Sequence, residues 1–543
     1  MAHERLDTWF MTLLATVTMA TASGPVWANG AWRHHHQSKD QTQPHIIFIV
    51  ADDLGWADVS LHGSTEIPTP NIDSLAQEGV TLTNYYVSPI CTPSRGAIMT
   101  GRHPIHLGLQ HDTIGAGEPY GLGLNETTMA DHLKSLGYRT HAIGKWHLGY
   151  FAEQYIPTRR GFDTFFGYYN GRGDYFTHED HKNNQAGYDL HKNGKLYRAA
   201  FGQYSTEIFT SEAQDIIKSH NSSEPMFLYL AHQAVHAGVY GNHLLEAPHK
   251  YIQRFPHIKN SGRKLYAAMV SALDDSVGNV TQALRESGLY ENSVIIFTTD
   301  NGGPTNGYDG NHASNWPLRG CKHTLWEGGV RGTAFVHSPL IASPRRFSDH
   351  MMHVCDWMPT VYRLAGGEPK NLTNLDGFDV WDSISLDVPS PRNEILHNIE
   401  PYYNYSAIRL GDYKLHYGDF DGGAYSGWYP PQGEESSETE NKRVPNSFVV
   451  TCPSRPENAS TNCNYTAHQP CLYNIREDPC EFYNIAEWNQ ELVELMTTRL
   501  EQYQRTAVPP RNKDVDPESN PKYHDHAWVP WVKLDDNSIS PDL

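Results

Sequence analysis

Cys91 stands in the run Cys91-Thr92-Pro93-Ser94-Arg95-Gly96 and is one of seven cysteines. A cysteine beside a proline is commonly buried or disulfide-bonded. An odd count in a secreted chain, however, leaves one cysteine for another task. Pro93 suits an early helical position. That puts residue 91 near a helix N-terminus, where positive partial charge favours an anion. Asp52-Asp53 and Asp300-Asn301 offer three carboxylates and an amide. Singly, such acids cap helices or sit in solvated turns. Together they form a hard oxygen set, right for Ca²⁺ or Mg²⁺ and wrong for a soft metal. Lys145-Trp146-His147 and Lys322 bring positive charge, and His232 and His236 compete as proton donors. The chain has a formal net charge of -20, so its overall field disfavours nucleic acid and anionic membrane. For an anionic substrate the positive field must be local, and these lysines supply it.

The elements that must position these residues read as an α/β fold. Ile46 to Ala51 is a continuous apolar run, the pattern of a buried parallel strand. It leads into Asp52-Asp53. Thr69-Pro70 opens a helix that Gly79 ends. Met129 to Leu136 is a helix closed by Gly137, and the strand 138–143 after it runs into Lys145-Trp146-His147. Met226 to Leu230 leads to His232 and His236, and Val294 to Thr298 leads to Asp300-Asn301. Between these two strands, Leu265, Met269, Leu273, Val277, Val280 and Leu284 trace one face of a long helix. Alternating strands and helices predict a large, mostly parallel sheet sandwiched by helices. Ligands bind beyond the carboxyl ends of such strands, and four strand ends carry the chemistry.

The full run from Cys91 to Arg102, Cys-Thr-Pro-Ser-Arg-Gly-Ala-Ile-Met-Thr-Gly-Arg, closely resembles the sulfatase signature. Gly144-Lys145-Trp146-His147-Leu148-Gly149 resembles a second sulfatase motif. Lys322, within Leu318 to Arg331, matches the family's second sulfate-binding lysine. The resemblance spans roughly residues 44–500 and implies an alkaline-phosphatase-like fold. It also implies that Cys91 is oxidised to formylglycine (3-oxoalanine) by the formylglycine-generating enzyme. Asp52, Asp53, residue 91, Asp300 and Asn301 would hold the metal, Ca²⁺ in preference to Mg²⁺. Lys145 and Lys322 would bind sulfate oxygens, His147 would bond a formylglycine hydroxyl, and Arg95 would support the hydrate. His236 would protonate the leaving group, although Ala237-Gly238 follows it where the family often has proline. Trp316-Pro317-Leu318-Arg319 and Leu325 to Arg331 look most like the arylsulfatase B group. That group includes N-acetylgalactosamine 4-sulfatase, which acts on dermatan and chondroitin sulfate, and arylsulfatases I and J. The substrate implied is a sulfated carbohydrate or aryl sulfate. The alternatives are a phosphate or phosphonate ester hydrolase of the same superfamily, a secreted glycan-binding protein without catalysis, and a structural extracellular glycoprotein.

The apolar run Trp9 to Ala20 followed by small residues reads as a signal peptide, residues 1–28. A polar leader, 29–43, precedes a catalytic domain at 44–393. Short strands after 393 predict a C-terminal antiparallel sheet with one helix, 394–508, and 509–543 reads as an extended tail. Sequons at Asn125, Asn221, Asn279, Asn371, Asn404, Asn458 and Asn464 agree with the secretory pathway, lysosomal or extracellular. With Cys91 set aside, Cys452, Cys463, Cys471 and Cys480 crowd together and predict local disulfides, while Cys321 and Cys355 stay unassigned. No stretch reads as a membrane span.

Overall fold

The structure is a computed structural model, and it describes residues 43–182, 185–239, 244–431, 444–461, 463–464 and 469–534. The signal peptide, the leader up to residue 42, and 535–543 lie outside these, as does most of the Gly/Ser/Glu-rich stretch 421–443. Ten strands form the main sheet: β1 (His45–Ala51), β2 (Val80–Leu82), β3 (Arg139–Lys145), β4 (Thr164–Tyr168), β5 (His191–Lys192), β6 (Lys195–Leu196), β7 (Met226–Ala231), β8 (Ser293–Thr299), β9 (Ala334–His337) and β10 (Arg346–Ser348). Their spatial order is β10-β2-β9-β8-β1-β7-β3-β4-β5-β6. The five central strands, β8 to β4 in that order, are parallel. Antiparallel β9 and β5 flank them.

Strand β1 shows why the centre reads as an unbroken apolar run. Ile47, Ile49 and Ala51 face one layer of helices. Ile46, Phe48 and Val50 face the other. Both faces of a parallel sheet are covered, so no position can be polar without a partner. Seven helices are used below: α1 (Pro70–Glu78), α2 (Cys91–Thr100), α3 (Met129–Ser135), α4 (Ser205–Ser219), α5 (Ser261–Glu286), α6 (Trp357–Leu364) and α7 (Gln490–Thr506). α1, α4 and α5 pack on the Ile47 face, and α2, α3 and α6 on the Phe48 face.

From Glu394 a second sheet begins. β11 (Glu394–Glu400), β12 (Tyr405–Leu410), β13 (Tyr413–Tyr417) and β14 (Cys471–Asn474) are antiparallel in that order. Its apolar face, with Leu396, Ile408, Leu415 and Leu472, is covered by Val493, Met496 and Leu500 of α7. Disulfides join Cys452 to Cys480 and Cys463 to Cys471, leaving Cys91, Cys321 and Cys355 as buried thiols. The tail up to residue 534 lies along the main sheet side, where Trp528 is fully buried and pairs its backbone with Tyr188. Among the described residues, no helix is long and apolar enough to cross a membrane.

Two expectations shift in detail. Lys145 is the last residue of β3 rather than part of the loop after it. The helix expected to end at Leu136 ends at Ser135, and Leu136 is its C-cap.

Candidate active site

Five parallel strands end on one edge, and all five deliver side chains there. β1 leads into Asp52 and Asp53, β3 ends in Lys145, β7 leads to His232 and His236, and β8 leads into Asp300 and Asn301. β4, which the sequence pattern does not reveal, leads to Gly171 and Arg172. Close approach of β3 and β7 at this edge needs Gly144. Its φ is +93°, and a Cβ there would lie 1.9 Å from the Ala231 carbonyl oxygen. Asp53 and His147 also adopt positive φ, 59° and 58°. Such backbone conformations are costly for side chains larger than glycine and often persist at functional sites.

Cys91 is the first residue of α2 and is 1% exposed. Its Sγ lies 3.6 Å from Asp52 Oδ1. Thr92 ties the start of this helix to the next motif: its hydroxyl donates to the His147 carbonyl at 3.1 Å and accepts from Ile114 N at 3.2 Å. Arg95, one turn on, is fully buried. Nε and Nη2 donate to Asp300 Oδ2 at 3.1 and 2.8 Å, and Nη1 donates to the Lys145 carbonyl at 3.3 Å. Lys145 Nζ reaches Asp52 Oδ2 at 2.7 Å. Lys322 Nζ reaches Asp53 Oδ2 and Asp309 Oδ2, each at 2.9 Å, and His236 Nε2 at 3.2 Å. The structure therefore brings Asp52, Asp53, Cys91, Arg95, Lys145, His147, His236, Asp300, Asn301 and Lys322 to one edge, and His232 alone of the candidates turns away.

The two competing histidines separate. His232 Nε2 bonds the Ser276 hydroxyl at 2.9 Å in the core between β7 and α5. Burial lowers its pKa to about 3. His236 lines the cleft with Cys91, His147 and Lys322. Its Nδ1 lies 2.7 Å from the Ala237 carbonyl. A carbonyl only accepts, so Nδ1 carries the proton and Nε2 accepts from Lys322. Burial and then the Lys322 charge hold His236 well below the usual histidine range. The same logic fixes His147. Its Nε2 donates to the Ile114 carbonyl at 3.0 Å. Its Nδ1 is then a buried acceptor with no hydrogen-bond partner among the described residues.

A metal fits this edge by three observations. Asp52, Asp53, Cys91 and His236 each place a ligand atom within 4.8 Å of the others. Asn301 turns its Nδ2 to Asp53 Oδ1 at 2.7 Å, and its buried Oδ1 has no partner among the described residues. A bare amide oxygen in the interior is costly unless a cation takes it. Burial and the neighbouring Asp300 carboxylate push Asp52 up to about 8, and burial raises Asp53 as well. In the free site burial thus leaves the ionised forms of Asp52 and Asp53 poorly stabilised, and a hard divalent ion bound between them would supply that stabilisation. Asp300 stands apart. Burial acts to raise it, but Arg95 and Lys145 outweigh burial and leave its pKa lowered.

Sequence reasoning missed several groups. Asp112, Tyr308, Asp309 and His323 line the cleft, as do Arg172, Asp180, His181 and Lys182. All lie on loops or a short hairpin, with no motif or periodicity to mark them. Asp309 alone had a signal, since it falls between Asn301 and Lys322.

The Sulfatase family model matches residues 44–367. Arylsulfatase J of Mus musculus is 43% identical over 91% of this chain and 81% of its own length. N-acetylgalactosamine-6-sulfatase of Homo sapiens is 28% identical over 86% of each. Among solved structures, Ps i-CgsB in complex with k-i-k-neocarrahexaose superposes with a TM-score of 0.70 at 29% identity, covering 86% of this chain and 94% of that one. Family match, a relative at that identity and the shared fold agree: this chain belongs to the sulfatase family and is a sulfuric ester hydrolase.

Proposed function

We propose that this sulfatase removes sulfate from a sulfated sugar such as the N-acetylgalactosamine 4-sulfate of dermatan or chondroitin sulfate, using Cys91 matured to formylglycine and a divalent cation. The carrying observation is the convergence on one cleft of Cys91 at the start of α2, two buried lysines and three buried carboxylates. Relatives point to sugars: N-acetylgalactosamine-6-sulfatase by its name, and Ps i-CgsB by the saccharide in its complex. Asp52, Asp53, Asp300, Asn301 and residue 91 would hold the cation, Ca²⁺ in preference to Mg²⁺. When bound, the cation supplies Lewis-acid stabilisation of charge on the sulfate oxygens, and the hydrated aldehyde of residue 91 supplies a nucleophilic hydroxyl and a second hydroxyl for release.

The remaining chemistry belongs to the chain's own side chains. Lys145 and Lys322 bind sulfate oxygens, exchanging part of their pairing with Asp52 and Asp53. His147 offers its bare Nδ1 as acceptor for a hydroxyl proton on residue 91. His236 delivers a proton to the departing sugar oxygen. Anionic sulfate drawn onto Lys322 offsets the charge that holds His236 neutral, so substrate binding itself favours the acid form. Arg95 fixes Asp300 and the end of β3. Maturation by the formylglycine-generating enzyme places the protein in the secretory pathway, lysosomal or extracellular, and all seven sequon asparagines are exposed.

The test is sulfate release by purified protein from an aryl sulfate, 4-sulfated N-acetylgalactosamine and the matching phosphate ester, with mass spectrometry of the residue 91 peptide. Cys91→Ala should keep its melting temperature and lose activity by about 10⁴-fold or more, the scale of losing a nucleophile. Undiminished turnover by that variant, or preference for the phosphate ester, would overturn the reading.

A further inference from the structure

The cleft around Cys91, about 190 Å³, is lined by two charged clusters besides the residues at its base. One carries Asp112, paired with His323 at 3.6 Å, and Asp309, committed to Lys322 at 2.9 Å. The other is built by the exit of β4 and by the hairpin Glu179–Lys182 with Gln185–Tyr188. It presents Arg172, Asp180, His181 and Lys182. In a chain of net charge -20, two full cations, Arg172 and Lys182, line the cleft here, each with one carboxylate at long range, Asp180 or Glu118.

The two cations of this cluster are weakly engaged. Arg172 Nε is 3.8 Å from Asp180 Oδ1, and Lys182 Nζ is 3.9 Å from Glu118 Oε1. Both contacts lie beyond hydrogen-bond length, so each head keeps donors free for a ligand. Their side chains stay 44% and 38% exposed. Their backbone, in contrast, is anchored. A Cβ on Gly171 would come within 2.5 Å of His147 Cε1, so Arg172 leaves the sheet pressed against a site residue. Asp180 beneath is 3% exposed, and Trp528 Nε1 donates to its carbonyl at 3.1 Å. Neither cation is used in the chemistry at residue 91, where Lys145 and Lys322 already face the carboxylates.

We infer that Arg172 and Lys182 form a second anion subsite, which selects a saccharide carrying another anionic group beside the sulfate to be cleaved. This rests on the sulfated-sugar reading above and makes it narrower. The shared chemistry is a carboxylate of a neighbouring uronic acid or a second sulfate ester, either of which a guanidinium and an ammonium can bind by charge-assisted hydrogen bonds.

The experiment compares kcat/KM of wild type, Arg172→Gln and Lys182→Gln on four substrates and a fifth arm. These are an aryl sulfate, the 4-sulfated monosaccharide, a uronate-containing sulfated disaccharide, and that disaccharide with its carboxyl reduced to the alcohol. A disulfated disaccharide without carboxylate is the arm for a second sulfate. The expected result is a selectivity loss of about tenfold for the anionic disaccharides relative to the aryl sulfate, mainly in KM, shrinking at high ionic strength. Arg172→Lys and Lys182→Arg should recover most of it. The carboxyl-reduced substrate should already behave in wild type as the uronate substrate does in the variants, if the carboxylate is the anion bound. Wild type that cleaves the disaccharides with selectivity unchanged in both variants overturns the subsite alone. Wild type that cleaves the aryl sulfate and no saccharide overturns the sugar reading and the subsite together.

Discussion

His236 shows how much one side chain's chemistry depends on its neighbours. In isolation it is a histidine after a strand. In the structure its Nε2 accepts from Lys322 and its Nδ1 donates to Ala237, so the free site holds it neutral. If it protonates the leaving group, its worth depends on how much the leaving group needs a proton. His236→Ala should therefore lower kcat by about 10²-fold or more on a sugar sulfate, whose alkoxide is a poor leaving group, and far less on an activated aryl sulfate. Steady-state kinetics on the two substrates check this; equal losses would remove His236 from the proton-transfer role.

At the scale of elements, the C-terminal sheet is locked to the catalytic loops by a buried ion cluster. Lys414 on β13 sits between Glu327 and Glu481, at 3.0 and 2.9 Å, with all three side chains fully buried. Glu481 also accepts from Glu327 N at 2.8 Å, and Glu327 accepts from the Tyr86 hydroxyl at 2.8 Å. Such a cluster adds little net stability over apolar packing, but removing one member leaves charges stranded. Lys414→Met should cost about 3–5 kcal/mol in chemical denaturation. The fraction that stays folded should keep its aryl sulfate activity, because no cleft residue is touched. A loss below 1 kcal/mol would mean the two glutamates find other partners.

Over the whole molecule, buried titratable groups set two opposing pH trends. Burial lowers His45 and His103 to about 4 and His62 and His232 to about 3, from 6.5. Their folded pKa is depressed, so the stability they lend is full above 6.5 and is lost as pH falls toward the folded values. Burial raises Asp180, Glu246 and Glu481 to about 7, and Asp274 and Asp419 to about 6. Their folded pKa is raised, so their protonated form favours the fold, and that contribution is lost as pH rises through 6 to 7. Between about pH 4.5 and 6.5 the trends offset each other, and above 6.5 only the carboxylates act. The melting temperature should be nearly level from about pH 5 to 6 and lower at about pH 8. A scan rising steadily to pH 8 would contradict this balance.

Sequence and tertiary structure decided different things. The apolar run of β1, the helix periodicity of α5 and the residues exiting four strands were legible because a buried parallel strand and an amphipathic helix each impose a pattern on neighbouring positions. The run from Cys91 to Arg102 was legible because it is one continuous stretch that resembles the sulfatase signature. The local pairing of four C-terminal cysteines was also readable, from crowding alone. Strand β4 was not. It is short and ends in Phe-Gly-Tyr, and its place comes from pairing with β3 rather than from its own pattern. The resemblance already favoured His236 over His232, and the fold supplies the physical reason: both follow β7, and the turn between them sends one into the core and the other into the cleft. Asp309 on Lys322, the bare Oδ1 of Asn301 and the placing of Arg172 with Lys182 along the cleft belong to the same class. Each is a meeting of residues distant in the chain, and electrostatic interactions depend on separation in space, which spacing along a sequence does not encode.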